Sequence, residues 1–213
     1  MTQRLLLASG NHHKLAELRE LCEGMPLEIL SPADLPSGLP EVDECHDNFL
    51  DNAAQKAFSA AAAVREQLGD DIWAMADDSG LCVDALDGAP GVLSARFSGL
   101  PESDPRELRD AANNTLLLDK LSGLPTDQRG ASFWCVIVIA HHDELLFAVE
   151  GSVEGRILEH LDGEGGFGYD PLFYHGPSGC SFARLSSPEK AAVSHRGNAV
   201  AKLRQVLEQV IRS

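Results

Sequence analysis

"RLLLASGNHHKLAELRELCEG", residues 4–24, changes its period halfway along. "RLLLAS" (4–9) is a short apolar run that stops at Gly10-Asn11, the pattern of a buried strand. From His13 onward the apolar residues fall at Leu15, Leu18, Leu21 and Cys22, a helical spacing that ends at Gly24. Strand, tight turn and helix in that order open an α/β fold.

The same alternation continues outward. "LEIL" (27–30) reads as a second strand, followed by a Pro-rich acidic loop over 31–47. Residues 48–68 form an Ala-rich helix, with Phe49, Ala53, Lys56, Ala57 and Ala60 at helical spacing. "IWAMA" (72–76) is a strand that delivers Asp77-Asp78 at its C-terminal end. The Gly- and Pro-dense stretch 87–101 is a loop, and 104–121 is a helix with Pro105 in its first turn. Two long strands, 131–142 and 145–157, are joined by a hairpin at His142-Asp143-Glu144. A glycine-rich loop with an apolar tail (163–174) and one long helix (186–211), started by Ser187-Pro188-Glu189, complete the chain. No repeat or dividing linker interrupts it, so the expectation is a single α/β domain over residues 1–213 with a mixed sheet.

Composition narrows the function. The chain has 213 residues, 44% of them hydrophobic and 23% charged, in the ordinary globular range. A net charge of −16 argues against a nucleic-acid partner, which needs a basic face. A small phosphorylated ligand remains open if local lysines, arginines or a metal override that field. No apolar run approaches the roughly 18 residues of a membrane span, and the first one is too short for a signal-peptide core. The expected location is cytoplasmic, and the five scattered cysteines read as reduced thiols.

Five segments carry chemistry. "SGNHHK" (Ser9, Gly10, Asn11, His12, His13, Lys14) joins a strand to a helix, where N-terminal amides receive phosphate; its plainer reading is a tight turn with an Asn cap. Asp77-Asp78-Ser79-Gly80 sets two carboxylates side by side at a strand end. Neighbouring like charges raise each other's pKa unless they share a cation, so the pair predicts Mg²⁺ or Mn²⁺; a surface Asp-Asp turn is the alternative. "GGFGYDP" (165–171) lets a ligand approach closely, with Phe167 available to a base, or is a hairpin loop with a buried Phe. Lys190, His195 and Arg196 are spread around the last helix and converge only on a ligand that spans it, and a basic amphipathic face explains any one of them equally well. Glu44, in the acidic loop, and Lys56, on the Ala-rich helix, read singly as solvated charges.

Taken together, these segments resemble the inosine/xanthosine triphosphate pyrophosphatases, the Ham1-like or RdgB-type family. The match rests on Ser9-Gly10-Asn11 with Lys14, Glu44 ahead of Phe49 and Asn52-Ala53 with Lys56, "ADDSGLCVDALDGAPGVLSARFSG", "GGFGYDPLF" and "EKAAVSHRGNA". The resemblance implies an elongated mixed sheet flanked by helices, with two lobes around a central cleft, and a homodimer. It implies Mg²⁺-dependent hydrolysis of ITP, dITP and XTP to monophosphate and pyrophosphate, with Mn²⁺ as a substitute. On this chain Ser9 to Lys14 and Lys56 would hold the triphosphate. Glu44, Asp77 and Asp78 would hold metal, with Asp78 also the general base, and Ser79 would touch substrate. Phe167, Gly168, Tyr169, Asp170, Lys190, His195 and Arg196 would form the nucleoside pocket, with Arg196 or adjacent backbone donating to the 6-oxo group. Three positions depart from the family pattern: Ser9 for Thr, Cys45-His46 for Thr-Gly, and Asp51 for Glu. The rival functions are a related pyrophosphatase acting on other nucleotides and a nucleotide-binding module without turnover.

Overall fold

The computed structural model describes residues 2–211, so Met1, Arg212 and Ser213 of the expected 1–213 domain lie outside it. Among the described residues seven strands form one sheet: β1 (Gln3–Leu7), β2 (Leu27–Leu30), β3 (Ile72–Val83), β4 (Gly130–His141), β5 (Glu144–Ile157), β6 (Phe173–His175) and β7 (Cys180–Ser181). Their order is β2-β1-β3-β4-β5-β6-β7. The sheet is mixed, as expected: β1 runs parallel to β2 and β3, whereas β6 is antiparallel to β5 and β7. The helices are α1 (His12–Leu21), α2 (Phe49–Leu68), α3 (Arg106–Lys120), α4 (Ser187–Val193) and α5 (His195–Ile211).

The chain divides into two compact units, neither continuous in sequence. The first comprises residues 1–78, 135–151 and 196–213, and the second 79–134 and 152–195.

In the first unit the strands are buried on both faces, and the pleat sorts their side chains. Leu6, Ala74, Ala76, Val136 and Val138 pack with the alanines of α2, while Leu5, Leu7, Met75, Cys135 and Ile137 pack with Leu18 of α1 and Leu203 of α5. A two-sided strand needs apolar residues at every position, which is why "RLLLAS" shows no alternation. The second unit has its own core, built around Leu81, Leu117, Phe133, Phe173 and Phe182.

Four expectations are corrected. β3 does not stop at Ala76 but continues to Val83, so Asp77 and Asp78 lie within a 12-residue strand. β1 is matched with β3 only as far as Leu7↔Met75, however, so both acids project beyond the end of their parallel neighbour. The predicted helix 186–211 is two helices, because Ser194 has extended backbone (φ −77°, ψ 159°); serine favours such non-helical geometry at a helix boundary. Pro105 lies one residue before the first turn of α3, at its cap. The turn between β4 and β5 is shorter than expected: only His142 and Asp143 connect them, and His142 takes the left-handed conformation (φ 54°) that two-residue turns demand.

Candidate active site

The pleat of β3 decides what Asp77 and Asp78 meet. Consecutive residues of a strand face opposite sides, so Asp77 continues the Met75 face toward α1 and α5, and Asp78 continues the Ala74 and Ala76 face toward α2. The contacts agree. Asp77 Oδ2 lies 3.0 Å from Lys14 Nζ and 3.3 Å from Arg196, with the Cys135 thiol at 4.0 Å. Asp78 Oδ1 lies 3.1 Å from Lys56 Nζ, and its Oδ2 accepts from Asn52 Nδ2 at 3.3 Å. Lys56 also bonds Glu44 Oε1 at 2.9 Å, so one ammonium joins Glu44 to Asp78. The adjacent acids thus each bond a different lysine, Asp77 Lys14 and Asp78 Lys56, while both lysines act electrostatically on both carboxylates.

Both acids are buried, at 3% and 4% exposure. Their electrostatics diverge for that reason. Burial alone would raise the Asp77 carboxyl, but Lys14, Arg196 and Lys56 together hold it well below the usual range. Burial dominates at Asp78 and lifts it above the ordinary value, against the pull of Lys56 and Lys14 and with help from Glu44. Burial opposes the charge on Lys56, yet Asp78, Asp77 and Glu44 keep its ammonium firmly protonated. The Cys135 thiol is pushed up to about 12 by burial, with the Asp77 charge adding to it, and stays an inert neutral group.

The strand-to-turn segment before α1 is capped from within. Asn11 Oδ1 accepts from the amides of His13 (3.1 Å) and Lys14 (3.4 Å), and Asn11 N–H donates to Ser9 Oγ (3.2 Å). This is the capped turn that competed with the phosphate-binding reading; the cap takes the Lys14 amide but not its ammonium, so the two are compatible. Gly10 and Lys56 line one cavity of about 370 Å³, walled by Ala8, Pro32, Leu39 and Val42. The rings of His12 and His13 pack on each other at 4.1 Å, with His12 exposed.

In the second unit three predicted residues come together. Lys190 Nζ bonds Asp170 Oδ2 at 2.6 Å and stands 4.5 Å above the centroid of the Phe167 ring. Asp170 Oδ2 accepts from the Phe167 amide at 2.8 Å. The Tyr169 hydroxyl donates to the Ser94 carbonyl at 2.9 Å. His195 stacks on Phe133, with centroids 4.7 Å apart and planes 12° from parallel. Ser79 follows Asp78 on β3 and is partly buried. Arg196, in the first unit, is 1% exposed and binds Asp77 and Glu17.

A family model described as the Ham1 family matches residues 5–206. The chain belongs to the Ham1 family. A "dITP/XTP pyrophosphatase" of Desulforamulus reducens is 46% identical over 207 residues, covering 97% of this chain and 96% of that one. Among solved structures, a HAM1 protein from Coxiella burnetii matches with a TM-score of 0.82 at 34% identity, covering 97% of this chain and 99% of the other. The Staphylococcus aureus Ham1 protein matches with a TM-score of 0.80 at 35% identity, with the same coverage.

In this Ham1 chain the donor set for a divalent ion is oxygen only. Asp77 Oδ1 is buried and has no hydrogen-bond partner among the described residues, an expense that a bound cation would remove. Glu44 and Asp78 already converge on one positive charge at Lys56. Among the described residues no group of three or more His, Cys, Asp or Glu is arranged around a metal position. A sparse set of carboxylates suits a hard ion that completes its shell with water and phosphate oxygens. The residues fit such a group.

The sequence reading missed several supporting residues. Asn52 holds Asp78 and, through His46 N–H (3.1 Å) and His46 carbonyl (3.2 Å), ties down the acidic loop after Glu44. Glu17 and Cys135 surround the Asp77 group, and Phe133 supports His195. Asn52 carries a sequence signal only as part of the family motif, and the others sit in ordinary amphipathic or apolar runs with no local signal.

Proposed function

We propose that this enzyme hydrolyses non-canonical purine nucleoside triphosphates, ITP, dITP and XTP, to the monophosphate and pyrophosphate. The observation that carries the reading is the pair of buried, adjacent carboxylates, each held by its own lysine: Asp77 by Lys14 and Asp78 by Lys56. A module that only bound phosphate would gain nothing from placing two acids there. A hydrolase needs both signs: cations for the polyphosphate, and a carboxylate to take a proton from water.

The roles follow from the chemistry. Ser9, Gly10, Asn11, His12, His13, Lys14 and Lys56 bind the phosphates, the two lysines as point charges. Asp78, whose burial makes it a stronger base than an ordinary aspartate, accepts the proton of the water that attacks the α-phosphorus. Lys14 stabilises charge that builds on the departing pyrophosphate. Glu44, Asp77 and Asp78 would hold Mg²⁺, or Mn²⁺ in its place, which when bound neutralises phosphate charge beyond what the two lysines supply. Ser79 touches the substrate, and Phe167, Gly168, Tyr169, Asp170, Lys190 and His195 receive the nucleoside. Arg196 serves the same substrate at one remove, by orienting Asp77.

Selection lies in the base. A site built to donate to a 6-oxo group leaves that donor unpaired against the amino group of adenine, at a cost of about 1–3 kcal/mol. A chain of net charge −16 is a poor partner for polynucleotides, so the substrate is the free nucleotide. The working form is a cytoplasmic homodimer, to be checked by sizing in solution; no described helix is long and apolar enough to cross a membrane.

A steady-state panel of nucleoside triphosphates, with Mg²⁺ present and then chelated, tests the function. Hydrolysis in ¹⁸O-labelled water tests the point of attack: label in IMP supports it, and label in pyrophosphate overturns it.

A further inference from the structure

The segment 167–170 is fixed far more tightly than a connecting loop requires. Loops are ordinarily solvated and mobile, and their peptides bond to water. Here the Phe167 amide is taken by Asp170, the Tyr169 hydroxyl by Ser94, and the Asp170 carboxylate by Lys190. The residue between, Gly168, has a left-handed backbone (φ 61°) and no side chain of its own to anchor it. Two side chains from α3 do so instead. Gly168 N–H donates to Asp110 Oδ2 at 3.0 Å, and its carbonyl accepts from Asn114 Nδ2 at 2.9 Å.

Asp110 and Asn114 stand four residues apart, so they share one face of α3 and grip one residue through both of its backbone polar groups. Asp110 is itself aimed by Arg106, whose Nε lies 3.0 Å from its other oxygen. Asn114 is 8% exposed, and its Oδ1 is buried without a partner among the described residues. A core amide kept only for packing would be satisfied at both ends; this one is present for its donation to Gly168.

We infer that Asp110 and Asn114 are positioning residues that set purine preference by fixing the Gly168 peptide. The inference rests on the base-binding role proposed above for residues 167–170. Discrimination between an oxo and an amino group depends on donor and acceptor placement within a few tenths of an ångström. A loop that can rotate its peptides meets either group and loses the distinction.

The test measures kcat/KM for dITP and dATP with Mg²⁺ on the full chain. Asn114→Ala and Asp110→Ala each lower the dITP-to-dATP ratio about tenfold, mainly through the KM for dITP, the equivalent of one lost hydrogen bond of roughly 1.4 kcal/mol. Asp110→Asn keeps an oxygen acceptor for Gly168 N–H and holds the ratio within about twofold of the parent. Equal losses on both substrates, with the ratio unmoved, mean a merely structural role and overturn the inference. So does an Asp110→Asn variant as damaged as Asp110→Ala. If the alanine variants do not fold, Asn114→Asp, which keeps the size but loses the donor, decides: its ratio falls if the inference holds and stays if it does not. A parent enzyme that turns over neither dITP nor XTP removes the proposed function itself, whereas an active parent with an unmoved ratio removes only the clamp.

Discussion

Lys14 holds Asp77 by one oxygen: Nζ lies 3.0 Å from Oδ2, which Arg196 also contacts, while Oδ1 of the same carboxylate is buried with no hydrogen-bond partner among the described residues. On the opposite face of β3, Lys56 holds Asp78 and Glu44 together. The two acids thus bond different lysines on opposite faces of one strand, and they respond differently to perturbation.

Asp78→Asn keeps the size of the side chain and an oxygen for Lys56 but removes the base. Turnover is expected to fall about 10²–10⁴-fold, the usual worth of a positioned general base, with far-ultraviolet circular dichroism unchanged. A variant with near-normal kcat takes Asp78 out of the mechanism.

Arg196→Ala acts on stability first. The guanidinium is fully buried and bonded to Asp77 and Glu17, so its loss strands two carboxylates. Breaking a buried pair in this way costs about 3–5 kcal/mol, read as a lowered denaturation midpoint in urea. The dITP-to-dATP ratio is expected to stay within about twofold, because a role at Asp77 acts equally on both purines. A stable variant with altered purine preference would return Arg196 to the base.

If the proposed Mg²⁺ dependence holds, chelation is expected to remove activity without unfolding the protein. The lysines already neutralise both acids, so the fold does not depend on a metal. Added Mg²⁺ restores turnover and raises the melting temperature, by an amount that corresponds to about 2.7 kcal/mol at a hundred times its Kd. Full activity in excess chelator is the contrary result.

The two acids give opposite pH signatures, best measured by urea unfolding with metal chelated. Asp77 is held below its ordinary value, so its contribution to stability is present above the unfolded value of 3.8 and is lost as pH falls through the folded one. The gap between parent and Asp77→Asn therefore shrinks in strong acid. Asp78 is raised, so the folded state is penalised at neutral pH and relieved as pH falls through its elevated value toward 3.8. Relative to Asp78→Asn, the parent gains stability on mild acidification. Parallel curves for both variants contradict the assignment.

Gly166→Ala tests the proposed base-binding role of residues 167–170. Gly166 has φ 70°, and a Cβ there collides with the Asp170 carboxylate, which Lys190 and the Phe167 amide hold in place. Left-handed strain of about 1–2 kcal/mol adds to the collision, so the KM for dITP should rise with little change in global melting. An unchanged KM shows that the loop does not meet substrate.

What the sequence made legible was local. β1, the Asn11 cap and the Ala-rich α2 follow from neighbouring residues, and each lies where the periodicity puts it. β3 was read short because Asp77 and Asp78 end its apolar run; the strand continues because lysines on two helices neutralise the acids, and that depends on residues 63 and 22 positions away. Asp77, which Arg196 bonds, is 119 positions distant, and the break at Ser194 interrupts a hydrophobic period that looks unbroken. Residue types for the site could be read; their pairing required the fold.

The pleat of β3 carries one more consequence, for how this gene can vary. Because side-chain direction alternates at every residue, adding or removing a single residue between Ile72 and Asp77 would hand Asp77 to α2 and Asp78 to α1 and α5. Point changes along this stretch can be graded in their effect, but a one-codon insertion exchanges both halves of the chemistry at once. The distance from Ile72 to the acid pair is thereby constrained to keep its parity, whatever residues fill it.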